Sequence, residues 1–318
     1  MQTLKLNYPV HTLDAKELFA AGSMLSHEAF QQARLKYPPL ASVFYSFLKH
    51  GSVCNDLQDM MGQPPYDTIY GDTDDREAVL AVLARSRVQP IVLDSLDYFR
   101  QFDCNTYRHM LMVFALSLLL ARHFAVPGRD LEQEILSAGP THDLGKICVP
   151  LPILRKSTPI TAHERRHLKH HTVAGFALLA WYSGDVHAPA ARIARDHHER
   201  SNGTGYPEGK KLSDILVEII AACDIYDALI SPRPYRPISF DNRTALEELT
   251  ELAGKNYLSG EIIQLLVALN RKNKPSAKTC VVSLERRGTP PAENNYGVTV
   301  ADDDQPATAQ KSPTVSPL

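Results

Sequence analysis

Apolar residues recur along most of the chain at steps of three and four, the spacing that lays one apolar face along an α-helix. Thr106–Phe124 shows the pattern best, with Leu111, Phe114, Leu118 and Ala121 on one face. The same period predicts helices over Glu77–Arg85, Leu93–Phe102, Asp130–Ser137, Ala162–Trp181, Ala188–His197, Leu216–Ile230, Arg243–Ala253 and Gly260–Asn270. Strand pairs with period-two alternation are absent there, so residues 71–280 read as an all-α bundle. Residues 1–70 differ. Leu4–Tyr8 and Val10–Leu13 are short and strand-like, and Ser26 is placed to cap a helix that Pro38-Pro39 ends. A second helix is predicted over Leu40–His50, and the Gly-, Pro- and Asp-rich stretch 62–75 reads as a linker. The first 70 residues are therefore expected to form a small α+β region with a regulatory or dimerising role. Residues 281–318 are rich in Pro, Ser, Thr and Asp, bury little, and are expected to be a disordered tail.

The longest apolar run, Met110 to Ala121, is twelve residues interrupted by Ser117, too few to span a bilayer, so it reads as a buried helix. The N-terminal segment MQTLKLNYPV lacks an apolar signal core. Five cysteines stand far apart with no CxxC pair, which fits a reducing compartment rather than a disulfide framework. A cytoplasmic protein without a membrane partner is the expectation. Lys plus Arg number 34 against 36 Asp plus Glu, and this balance argues against binding duplex DNA or RNA through bulk charge.

Histidine breaks this even composition. Eight of the thirteen lie between His142 and His198, where an even spread would put about two. His109, His142-Asp143, His170-His171, His197-His198 and Asp224 recur about one helix and turn apart. In an antiparallel bundle that spacing can return them to one layer, where imidazoles and carboxylates form a cage suited to divalent transition metals. An isolated buried Asp such as Asp224 is costly unless it is paired or bound to metal. His163, His167, His170, His187 and His123 read as packing or surface residues. His170 and His171 point about 100° apart, so only one faces the core.

Four motifs, THDLGK (141–146), HHERSNGTGYP (197–207), DIYDAL (224–229) and RPYR (233–236), resemble those of the HD-GYP family. These are metal-dependent phosphodiesterases of the HD superfamily, and the resemblance covers roughly residues 95–270. It implies an HD-superfamily helical bundle that hydrolyses cyclic di-GMP to pGpG, or on to GMP, with hydroxide activated between two metal ions, iron or manganese. It implies metal ligation by His109, His142, Asp143, His171, His197, His198 and Asp224, with Asp143 bridging. Gly175, four residues on, selects His171 over His170. Asp143 and Lys146 are implied as catalytic, and Lys146, Gly205, Tyr206, Pro207, Arg233 and Arg236 as substrate contacts, the arginines either touching phosphate or stabilising the loop. Glu199 and Asp227 are expected to support ligand histidines. The sequence departs from the family pattern at Asn105, where a Glu can hold a third metal, and at Ser201, Asn202 and Glu218. Three alternatives stay open: cyclic di-GMP hydrolysis, hydrolysis of another cyclic dinucleotide such as cyclic GMP-AMP, or a domain that binds nucleotide or a signalling partner without catalysis. A homodimer is a further possibility.

Overall fold

Local capping chemistry sets many of the helix ends. Ser26, Asp103, Asp130, Asp214 and Asp241 each accept a backbone N–H from the first turn of the helix they precede. Thr161 and Glu164 form a reciprocal capping box. The computed structural model describes residues 4–40, 43–71, 73–234, 236, 238–292 and 299–300. In chain order its elements are β1 (Val10–His11), β2 (Glu17–Phe19), α1 (His27–Lys36), β3 (Tyr45–Ser46), α2 (Val53–Met61), α3 (Tyr66–Tyr70), α4 (Thr73–Arg85), β4 (Arg87–Val88), α5 (Pro90–Phe102), α6 (Cys104–His123), α7 (Leu131–Ala138), α8 (Leu151–Leu154), β5 (Ile160–Thr161), α9 (Ala162–Lys169), α10 (His171–Ser183), α11 (Pro189–Asp196), α12 (Ile215–Ile230), α13 (Asn242–Gly254), α14 (Gly260–Leu269) and β6 (Thr299–Val300), with a 3-10 turn over Leu144–Cys148. Among the described residues the strands form three two-stranded ladders, β1–β2 and β3–β4 antiparallel and β5–β6 parallel. The architecture is helical, as the period of three and four predicts.

The centre of the bundle is α6. It packs against α12, α5, α7, α2, α4 and α14, and Met110 to Ala121 is buried throughout. By length and composition α6 could cross a membrane, but 83% of its most apolar window is buried inside the protein. A core helix satisfies the same test. On the other side of the site, α10 packs on α11 and on the 3-10 turn.

Three local expectations are corrected. The predicted helix over Leu40–His50 is absent: residues 41–42 lie outside the described residues, and Tyr45–Ser46 pairs with Arg87–Val88 instead. That pairing drives Phe47 into the core, edge-on to Phe114 at 5.4 Å, and tertiary packing overrides local propensity. The expected linker at 62–75 contains α3 and the start of α4. Pro65 stands at an N-cap and Asp67, Asp74 and Asp75 in first turns, positions at which helices accept them. The single helix expected over Ala162–Trp181 is divided at His170 into α9 and α10.

The core runs without interruption across residue 70. Phe30 meets Phe176 edge to face at 6.0 Å, and Arg34 donates to the carbonyls of Trp181 and Tyr182. Tyr107 of α6 donates to Asp56 of α2 at 2.7 Å. The described part of the C-terminal segment runs beside α13, where Arg286 pairs with Glu248 and Glu251. The rest of the expected tail, 293–298 and 301–318, lies outside the described residues, as does Tyr235 of RPYR.

One close approach fixes the site. A Cβ on Gly145 would lie 1.9 Å from the His171 carbonyl oxygen and 2.3 Å from the Gly175 nitrogen. The turn carrying His142-Asp143 thus lies against α10 with room for hydrogen only. Gly145→Ala should cost about 3 kcal/mol or more, the upper range for overpacking, read as a lower urea midpoint against wild type.

Candidate metal centre

Five segments bring the seven sequence-predicted ligands together. α6 supplies His109, the loop after α7 supplies His142 and Asp143, and α10 opens on His171. His197 and His198 follow the last turn of α11, and Asp224 lies in the middle of α12. His109, His142, Asp143, His171, His197 and Asp224 are buried, and His198 is partly exposed.

The donors fall into two groups able to hold a metal ion: His109 with His142 and Asp224, and His171 with His197 and His198. In the first group His109 Nε2 is 3.2 Å from His142 Nε2 and 3.0 Å from Asp224 Oδ1. In the second, His171 Nε2 is 3.3 Å from His197 Nε2. Donors sharing one metal at a bond length of about 2.1 Å stand roughly 3.0–3.4 Å apart. Asp143 lies between the groups. Its Oδ2 is 3.5 Å from both His109 Nε2 and His142 Nε2, and its Oδ1 is 3.5 Å from His171 Nε2 and 4.0 Å from His197 Nε2. Nitrogen and carboxylate donors in this arrangement fit divalent transition metals.

Hydrogen bonds on the far side of three of the rings, His109, His171 and His197, aim their Nε2 atoms inward. His171 Nδ1 donates to the Leu168 carbonyl at 2.7 Å, and His197 Nδ1 to those of Ile193 and Ala194. His109 Nδ1 contacts Asp227 Oδ2 at 2.5 Å, with Arg233 Nη2 beside both. Burial pushes the imidazoles of His142 and His171 down to about 3, so both are neutral donors at neutral pH. Burial and the Arg233 guanidinium push His109 down, but Asp227 and Asp224 outweigh them and leave it raised. Burial also opposes charge on Asp143, yet the Lys146 ammonium and the facing imidazoles hold it well below the usual carboxylate range.

The expected substrate contacts have more varied positions. Lys146 Nζ lies 2.6 Å from Asp143 Oδ2, at the edge of the centre. Tyr206 stacks on His198 at 4.5 Å, with the Lys169 ammonium 4.6 Å from the Tyr206 ring centre. Gly205 allows this stacking, since a Cβ there would lie 2.3 Å from the His198 carbonyl oxygen. Pro207 leads into the N–H groups of Glu208 and Gly209, which donate to Glu199 Oε1 at 2.7 and 3.1 Å. Glu199 therefore anchors this loop and does not support a ligand ring, a correction to its expected role. Asp227 does support one, His109. Arg233 joins that outer layer. Arg236 is placed elsewhere: it is buried, and its Nη2 lies 2.6 to 3.1 Å from the carbonyls of Ala228, Leu229 and Ser231, capping α12. Of the two readings open for Arg236, stabilising the chain fits this position and touching phosphate does not. Asn202 accepts from Thr204 N and Oγ1 and closes a turn within the loop. Away from the centre, His167 stacks on Tyr8 at 3.8 Å, with His163 and His170 around the same ring, in keeping with their reading as packing residues. Sequence reasoning missed Lys169 and Tyr66, the latter a donor to Asp227 from α3.

A profile of the HD domain family matches residues 88–262, more than half of the chain. The chain belongs to the HD domain family. A cyclic di-GMP phosphodiesterase of Thermotoga maritima is 35% identical over 184 residues, covering 57% of this chain and 48% of that protein. A cyclic di-GMP phosphodiesterase of Pseudomonas aeruginosa is 38% identical over 149 residues, 46% of this chain and 36% of that one. A 3'3'-cGAMP-specific phosphodiesterase of Vibrio cholerae is 32% identical over 135 residues, 42% of this chain and 26% of that one. The HD chain described here thus spans about half or less of the length of these relatives. The HD-GYP resemblance read from its four motifs agrees with both the profile and the relatives.

The placement of Arg236 in this HD domain gives a direct expectation. Arg236→Met should lower stability by about 1.5–3 kcal/mol, the range for a charged hydrogen bond, with metal content unchanged by elemental analysis.

Proposed function

We propose that this HD domain is a metal-dependent phosphodiesterase that linearises cyclic di-GMP to pGpG, with two divalent cations held by His109, His142, Asp143, His171, His197, His198 and Asp224. The observation that carries the reading is the divided carboxylate of Asp143, one oxygen facing each histidine group. Cations held there would supply a water nucleophile at neutral pH and neutralise the anionic phosphodiester. The donor set of imidazoles and carboxylates is compatible with iron or manganese.

The chain's own residues have separable roles in this reading. His171 and His197 serve as fixed donors and not as general bases, because each spends Nδ1–H on a backbone carbonyl. Lys146, partly exposed at the edge of the centre, places an ammonium where a phosphate oxygen would arrive and stabilises charge building there. Tyr206, backed by His198 and with Lys169 beside it, offers an aromatic surface and a second positive charge for a nucleotide. Asn105 precedes His109 by one turn of α6, and its neutral amide is a poor bridging ligand, so the count is two metals and not three.

A second substrate, the mixed cyclic GMP-AMP, has support of its own in the similarity to the Vibrio cholerae enzyme. Side-by-side turnover of the two dinucleotides separates the readings.

Protein loaded with Fe(II) or Mn(II) should linearise cyclic di-GMP. Asp143→Ala should lose far more than the roughly 10–100-fold that removal of an outer partner costs. Undiminished turnover by that variant would sink the assignment. Protein replete with metal that binds both dinucleotides and cleaves neither is a binding domain instead. Elemental analysis should give two metals per chain, and three would refute the reading of Asn105.

A further inference from the structure

The segment before the family match contributes a side chain to the frame of the metal centre. Tyr66 opens α3 and is buried, and its hydroxyl donates to Asp227 Oδ1 at 2.5 Å. Ser231 donates to the same oxygen at 2.9 Å. The other oxygen, Oδ2, faces His109 Nδ1 at 2.5 Å and Arg233 Nη2 at 3.1 Å. His109 Nε2, across the ring, faces Asp224 and His142. An unbroken line of polar contacts therefore runs from residue 66, outside the matched span 88–262, to a donor of the first metal group.

We propose that Tyr66 is a positioning residue for the metal centre, fixing the carboxylate plane of Asp227 and through it the tautomer and tilt of His109. The inference rests on the metal-centre reading above. A carboxylate turns about its Cβ–Cγ bond unless both oxygens are tied. Tyr66 and Ser231 tie Oδ1, so Oδ2 cannot swing away from His109 without breaking two bonds. The Tyr66 ring is itself wedged edge-on to Tyr226 at 6.3 Å, which seats the hydroxyl. A displacement of α3 is thereby carried first to His109, a donor of the first group. This gives the N-terminal region a physical line into the site.

The test uses the full chain as wild type, Tyr66→Phe and Tyr70→Phe, each stripped of metal and titrated with Mn(II) against a chelating indicator, with a thermal melt of each. Tyr70 is the control: it lies four residues on, is also buried, and its hydroxyl has no hydrogen-bond partner among the described residues. Tyr66→Phe should weaken one of two Mn(II) sites by about 10-fold, within the roughly 10–100-fold range for an outer partner. The second site and Tyr70→Phe should match wild type. Adding Ser231→Ala to Tyr66→Phe should weaken the same site further. Equal affinities in Tyr66→Phe and wild type overturn the inference and leave the metal centre standing. So does equal weakening of both sites, or the same loss in Tyr70→Phe, since either is general loosening. Wild type that takes up no Mn(II) overturns the metal-centre reading and this inference with it.

Discussion

The structure depends on one buried carboxylate. Asp143 is almost fully out of water, where a bare negative charge is prohibitive, and it is held by surrounding it with positive charge and imidazole donors. Its two oxygens look in opposite directions, toward His109 and His142 on one side and His171 and His197 on the other. Each of those rings comes from a different part of the chain. The helices must therefore meet in one relative arrangement, and the rest of the fold can be understood as the means of fixing it.

Glycine and backbone carbonyls do much of that work. Gly145 brings the turn bearing His142 and Asp143 into contact with the start of α10, so that Asp143 and His171 share a layer. The carbonyls at the ends of α9 and α11 accept from His171 and His197 and turn the rings inward. Gly205 and Glu199 do the same for the loop, pressing Tyr206 onto His198 and tying down the two residues after Pro207. Arg236 closes the carbonyl end of α12, the helix that carries Asp224 and Asp227.

Much of this was legible in the sequence, because helical period and the order of His and Asp motifs are local signals. Nearly all the expected helices are present, and the seven expected ligands converge. What was not legible depends on partners far along the chain. Tyr66 meets Asp227 across 161 residues, and in the sequence it is only an aromatic among Gly, Pro and Asp. The break at His170 has no Pro or Gly to announce it, yet it separates a residue packed on Tyr8 from one aimed at the centre. Arg236 shows another limit. A guanidinium suits a phosphate and a cluster of carbonyls equally well, and only its position distinguishes them.

The packing of α2 and α4 on α6 has a consequence for where the chain can be cut. The matched span begins at residue 88, but the apolar flank of α6 is covered by helices that precede it. A fragment trimmed to the family boundary would keep all seven candidate donors and lose Leu57, Met61, Val79 and Leu83, each buried in the core. The flank so uncovered is a sticky surface in water, and such a fragment would self-associate before it could be assayed. Here the smallest unit that keeps its core covered is larger than the smallest unit that carries the seven candidate donors.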